Sequence, residues 1–547
     1  MDNQRLILLL VFSFSAVMLW DAWQKQEQPA PVAVTAQQAA TGSASIPVPV
    51  SPGSPAAVPA VTNPGATTTT AAPKAQVRTD LFNAEISAEG GSLVRLELTK
   101  HRATADPSKN FVLLHNDGKE FYEAQSGLIG AGLPNHKTLF TLEASNYQLK
   151  DGQDTLQVRL VAPPVNGIQV AKTYTFHRGS YLIDVGYQIV NGGTVPITPS
   201  AYFQSVRDGN PPEADPKMTK ASFNGGAVYT EQDKYQKFSF EDIDKGKDKY
   251  AQKADNGWIA VIQHYFVSAW LPQGKVEREF FARKLADNLY GLGVIVPVAT
   301  IAPGATGTVM VPLYAGPQDQ ENLAKIAPGL NLVVDYGWLT IIAAPLFWVL
   351  EQIHRLVGNW GWAIIGLTVL LKLIFFPLSA ASYKSMAKMK LVTPKMAKLK
   401  ELYGDDRARL NQEMMELYKR EKINPLGGCL PIVVQIPVFI SLYWVLLSTV
   451  EMRYAPWLGW IHDLSARDPY FILPLIMGAT MLVQQRLNPA PPDPIQAKVM
   501  MFMPIVFTGM FLFSPAGLVL YWTVNNMLSI AQQWQITRLI NKGAPKT

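Results

Sequence analysis

The sequence predicts a multi-pass α-helical membrane protein, an N-terminal anchor plus a five-helix core, that carries a large all-β sandwich domain outside the cytoplasm. Three observations predict it. Segments near 359–378, 427–450, 469–487, 499–513 and 516–536 are strongly apolar and contain no Asp or Glu. The stretch from 76 to about 316 instead alternates with a period of two. A further apolar run, 4–23, spans about 30 Å as a helix, enough for a bilayer core.

Composition narrows the function classes. The chain has 547 residues, 48% hydrophobic and only 16% charged, with a net charge of +6. No basic stripe interleaved with aromatics marks a folded module, which argues against nucleic-acid binding. The single cysteine, Cys429, excludes an intramolecular disulfide and any cysteine-based metal cluster. No pattern asks for a cofactor or a metal.

Taken in order, residues 1–27 read as an uncleaved transmembrane anchor. A cleaved signal peptide is the alternative, but Trp20, Asp21 and Trp23 stand where small residues should precede a cleavage site. Residues 28–75 form a Pro/Ala/Thr-rich linker, and no charge occurs from Gln28 to Pro73. Residues 76–335 form the β domain. In TLQVRLV, Leu156, Val158 and Leu160 fall on one face and Thr155, Gln157 and Arg159 on the other, while KTYTFHRGSYLIDVGYQIV reads as two strands around Arg178-Gly179. His177 and His264 lie in strand-like runs, and no paired acid and base can be placed between 76 and 316.

Residues 336–358 carry Glu351, His354 and Arg355 on an apolar helix, a pattern that suits lying in the interface. A core span at 359–378 follows, then a helical hairpin at 379–424, four spans within 425–541, and a tail at 542–547. The 379–424 loop holds eleven Lys/Arg and the 451–468 loop two, so the first faces the cytoplasm. Both termini then lie inside and the β domain outside.

Lys372 interrupts the span LTVLLKLIFFP, and no span offers it a carboxylate. One reading is a long cation snorkelling to cytoplasmic headgroups. The other is a wet groove open to the cytoplasm. Thr368 shares a face with Lys372, and Gln435, Gln484, Gln485, Asn525, Asn526, Gln532 and Gln533 gather in the cytoplasmic halves of the other spans. Taken singly, each amide is better explained by an interhelical hydrogen bond than by a cavity lining, and only their shared side makes the case for a groove.

The hairpin reads as helices over 383–402 and 405–422, with Asp405 as an N-cap. Met386, Met389, Met396 and Met414 recur at helical spacing. They either pack the two helices together or offer an adaptable surface to clients.

The stretches YKSMAKMKLVTPKM, QEMMELYK, NPLGGCLPIVVQIPVFISLYWVL, WIHDLSARDPYFILPLIMGATM and PAGLVLYW closely resemble the YidC/Oxa/Alb family of membrane-protein insertases, from about Asp335 to Leu539. The resemblance implies a bacterial inner-membrane insertase and chaperone that is not an enzyme, with a β-supersandwich like that of mutarotases. It implies a client groove at Lys372, Thr368, Gln435, Tyr521, Trp522 and Asn525, and client contacts at the hairpin methionines. It further implies nascent membrane-protein clients, ribosome–nascent chain complexes, the lipid bilayer and the Sec translocon (SecYEG, SecDF) as partners, with no small-molecule substrate. Two departures stand out. Lys372 replaces the usual groove arginine, and Trp522 stands where the family has a functional tyrosine, with Tyr521 beside it.

Two other classes compete. A secondary transporter with an intramembrane lysine should show inverted repeats and intramembrane acids, and neither is present. A periplasmic sugar enzyme on an anchor rests on fold analogy alone.

Overall fold

The computed structural model describes residues 72–104, 106–118, 120–210, 223–404, 406–421, 430–488 and 494–543. The expected anchor and most of the linker lie outside the described residues, as does Asp405.

The alternating segments become two packed sheets. A ten-stranded sheet runs from the edge strand Lys253–Ala254 to Asn146–Gln148, and a nine-stranded sheet runs from Lys234–Ser239 to Thr141–Leu142. All pairings are antiparallel except that of Lys74–Arg78 with Asn146–Gln148. Val158 and Leu160 are fully buried on the inner face of their strand, as the alternation requires. Ile168–His177 and Leu182–Asn191 pair as a hairpin, and Gly179 in its turn takes φ 69°, a left-handed conformation that costs glycine little. Several buried charged residues break the apolar rule, Lys172 most completely. Lys172 is completely buried between the sheets, donates to the Gly90 carbonyl at 3.0 Å, and lies over the rings of Tyr174 and Tyr187.

Ten helices occur among the described residues: α1 Phe240–Asp244, α2 Gln320–Ile326, α3 Thr340–Val357, α4 Trp360–Ile374, α5 Phe376–Tyr403, α6 Arg407–Arg420, α7 Leu430–Ser448, α8 Ile472–Leu487, α9 Pro494–Phe511 and α10 Ala516–Gly543. Helix α3 is long and apolar enough to cross a membrane. Its attachments point elsewhere. On its N-terminal side Asp335 pairs with Lys237 of the β domain, and near its C-terminal end Arg355 pairs with Glu321 of α2 at 2.5 Å. Both ties are to the β-domain side, while Ala343, Phe347 and Leu350 of the helix are buried in the helical core.

The core span expected over 359–378 is cut short. Helix α4 starts on Asn359, whose side chain caps Trp362 N, and it stops at Ile374. Helix α5 then leaves at 67°. Pro377 supplies the reason, because its ring would clash with the carbonyl four residues earlier and it has no N–H to continue the ladder. Lys372 therefore stands in the last turn of α4, beside the bend.

Helices α5 and α6 form the hairpin, closed by Val392, Met396 and Leu417 with Met389, Leu399, Met414 and Tyr418 against them. The N-cap of α6 is Asp406, which accepts from Arg409 N, one residue later than the sequence suggests. Either aspartate satisfies the composition rule; the helix start decides between them.

Candidate functional site

Helices α4, α5, α7, α8 and α10 meet around a seam of polar side chains inside an otherwise apolar bundle. Helix α10 supplies a buried stripe at a spacing of four: Tyr521, then Asn525, Ser529 and Gln533. Tyr521, Ser529 and Gln533 are buried and Asn525 half-buried. Facing this stripe, Thr368 and Lys372 are 1% and 6% exposed, so the α4 pair points into the bundle.

The hydrogen bonds define the geometry. Lys372 Nζ donates to Ser529 Oγ at 2.7 Å. Ser529 in turn donates to the Asn525 carbonyl at 2.7 Å. Thr368 donates to the Ile364 carbonyl one turn back, which uses its only proton. Toward α8, Asn526 Nδ2 donates to Thr480 Oγ1 at 3.3 Å and Gln533 Nε2 to Asn488 Oδ1 at 2.9 Å.

Lys372 and Asn525 thus come together through Ser529, with Thr368 one turn before Lys372 on α4. Tyr521 and Trp522 sit about one turn further along α10 and pack against α7, where Phe439 lies 6.2 Å from Tyr521 and 4.5 Å from Trp522. Gln435 stands one turn from Phe439 on the same helix. It is half-buried, and no contact joins it to Lys372 among those described. The hairpin methionines fall elsewhere: Met396 is buried between α5 and α6, Met389 and Met414 pack beside it, and Met386 is half-buried outside that cluster.

Sequence reasoning missed Ser529. The signal for Ser529 was present, since it continues the spacing of four from Asn525, but a serine in an apolar helix attracts less notice than an amide. Three buried atoms in this region lack a hydrogen-bond partner among the described residues: Trp522 Nε1, Gln532 Oε1 and Gln533 Oε1. Such atoms call for water or for polar groups of a bound chain.

The β domain corrects one expectation. It does bring acid and base together, His115 with Glu120 at 2.9 Å and His177 with Asp184 at 2.8 Å. The partners lie on either side of hairpin turns, where spacing along the chain gives no hint of contact. The first pair lines a cavity of about 230 Å³ that also includes Phe111 and Arg207 and lies within the β domain.

A bundle with a cation that has no carboxylate partner among the described residues on a polar seam, and a β domain seated on its non-cytoplasmic loops, defines a membrane protein that handles polypeptide segments within the bilayer. Comparison with known proteins gives the particular family. Residues 74–349 match the YidC periplasmic domain family and residues 352–543 the 60Kd inner membrane protein family. The membrane protein insertase YidC of Aromatoleum aromaticum is 64% identical over 541 residues, covering 99% of this chain and 98% of that one. That of Dechloromonas aromatica is 58% identical over 549 residues, covering 99% and 98%. The chain belongs to the YidC family of membrane-protein insertases. It is an inner-membrane insertase with a periplasmic β domain, which sets the transporter and sugar-enzyme alternatives aside. Among solved structures, a crystal structure of an active YidC insertase with its first transmembrane domain resolved aligns with a TM-score of 0.38 at 17% identity, over 84% of this chain and 94% of that one. A galactose mutarotase related enzyme from Lactobacillus acidophilus aligns with a TM-score of 0.29 at 9% identity, over 44% and 97%.

Proposed function

We propose that client segments enter from the cytoplasm along the seam between α4 and α10, with Lys372 as its attractive charge, and leave sideways into lipid. One observation carries this reading. The Lys372 ammonium is turned into the bundle and has no carboxylate partner among the described residues. A cation inside a membrane bundle is costly unless it finds water or polar groups, and an acidic or carbonyl-rich segment supplies them. Insertion moves a chain without making or breaking covalent bonds, so the driving force is transfer of the client's apolar helix into lipid, aided by the membrane potential on negative tails.

Several finer readings belong with this proposal. Helix α3 lies in the periplasmic interface, supported by its ties to Lys237 and to α2. The hairpin faces the cytoplasm, where its eleven Lys/Arg suit anionic headgroups and ribosomal RNA. Both chain termini are cytoplasmic. Ribosome–nascent chain complexes and the Sec translocon as partners rest on family membership alone.

The test follows two single-span clients, identical except for acidic or neutral translocated tails, by protease protection. Lys372→Arg should retain insertion. Lys372→Gln should depress the acidic client more than the neutral one, and Lys372→Glu should depress it most. Opposite charges in contact at an effective dielectric near 20 interact by roughly 4 kcal/mol at 4 Å, so reversal of sign should show even after screening. Equal insertion of both clients by Lys372→Glu at wild-type protein levels would sink the reading.

A further inference from the structure

Ser529 decides where the Lys372 ammonium points. A serine hydroxyl has one proton and two lone pairs. The proton goes to the Asn525 carbonyl at 2.7 Å, because a carbonyl oxygen can only accept. A lone pair then accepts from Lys372 Nζ at 2.7 Å. With its proton committed to Asn525, the hydroxyl meets the ammonium as an acceptor and cannot turn without breaking a bond.

The lysine it meets is poised to go elsewhere. Lys372 stands two residues before the end of α4, and its neighbours Leu373 and Ile374 are 64% and 60% exposed on the outside of the bundle. A long cationic stem near a helix end normally snorkels to the headgroups. Here the ammonium is turned inward, and Ser529 is its one hydrogen-bond partner among the described residues. Of its three N–H donors, that bond uses one.

We infer that Ser529, braced by Asn525, is a positioning residue. It tethers the Lys372 ammonium inside the groove and leaves two N–H donors for the carboxylates or carbonyls of a passing client. The inference rests on Lys372 being the groove's attractive charge, and the experiment separates the two.

Ser529→Thr and Ser529→Val form a near-isosteric pair that differs in the hydroxyl. They are compared with wild type, Lys372→Gln and the double variant Lys372→Gln/Ser529→Val in proteoliposomes, using the matched acidic-tailed and neutral-tailed clients. Ser529→Val should lower insertion of the acidic client about tenfold relative to the neutral one, as expected for loss of a hydrogen bond to a charged group. Ser529→Thr should restore it, and the double variant should be no worse than Lys372→Gln alone. If Lys372→Gln does not separate the two clients, the groove-charge reading fails. If Lys372→Gln separates them while Ser529→Val matches wild type or depresses both clients equally, the tether is overturned and the charge reading stands. Should Ser529→Val not assemble, Ser529→Ala removes the hydroxyl without adding bulk and is read by the same criteria.

Discussion

Arg453, in the connection between α7 and α8, donates from Nη2 to the carbonyl oxygen of Arg102 at 2.9 Å, which joins a loop of the membrane core to a strand of the β domain. The same nitrogen reaches Thr104 Oγ1 at 3.0 Å, and the guanidinium lies over the rings of Phe111, Tyr265 and Phe266. Two further bonds cross the same junction. Tyr454 donates its hydroxyl to the Ala103 carbonyl at 2.8 Å, and His264 Nε2 meets the Leu447 carbonyl at 3.1 Å. The β domain is seated on the periplasmic end of α7 by a cation held among aromatic rings.

Arg453→Ala should loosen that seat. A desolvated cation–π contact is worth about 2 kcal/mol and hydrogen bonds from a charged donor about as much again, offset in part because Nη1 is buried without a partner. Hydrogen exchange should rise in the strands Leu93–Arg102 and Asn110–Asn116 while the far edge of the same sheet keeps its protection. Arg453→Lys should fall between, because an ammonium cannot reproduce the planar fork. Unchanged exchange in both strands would show that the seat holds without this residue.

Lys172 makes the stability of the β domain depend on pH. Burial pushes its ammonium well below the usual lysine range, so the folded state prefers the neutral amine. The unfolded chain stays protonated up to about pH 10.5. Between those two values the unfolded state binds the extra proton, so stability must rise with pH across that window. Lys172→Met keeps the stem and removes the charge, at the cost of the donor to Gly90. The variant should be more stable than wild type by about 1 kcal/mol at pH 7, and the gap should close as pH approaches 10. Thermal unfolding of the two purified full-length proteins across that range checks it, and a gap independent of pH would contradict it.

The hairpin prediction concerns which methionine faces outward. Met396 is buried against Leu417, and the Tyr418 hydroxyl points at its sulfur, whereas Met415 is 52% exposed. Met396→Leu should be tolerated, and Met396→Asp should cost about 3 kcal/mol or more by burying an unpaired charge. A photo-crosslinker at Met396 should react within the hairpin, and one at Met415 should capture translating clients. Capture of nascent chains from Met396 in a stably folded protein would mean that the hairpin opens to receive them.

Much of this architecture was legible from residue patterns alone. Apolar runs without acids marked the core helices, alternation marked the β domain, and a lysine among leucines marked the seam, because each pattern records how a segment meets its solvent. The bend before Pro377 was not read from the sequence, which runs one span over 359–378, and it needed the folded chain. The tertiary structure alone decided the partners. Ser529 lies 157 residues from Lys372, and Thr104 lies 349 from Arg453. Periodicity says which face of an element is buried, but a hydrogen bond or a cation among rings forms only where separate elements close on one another. That closure also turned Met396 inward and left Met415 outside, since two helices of similar pattern can show their faces to each other or to a client until packing selects one.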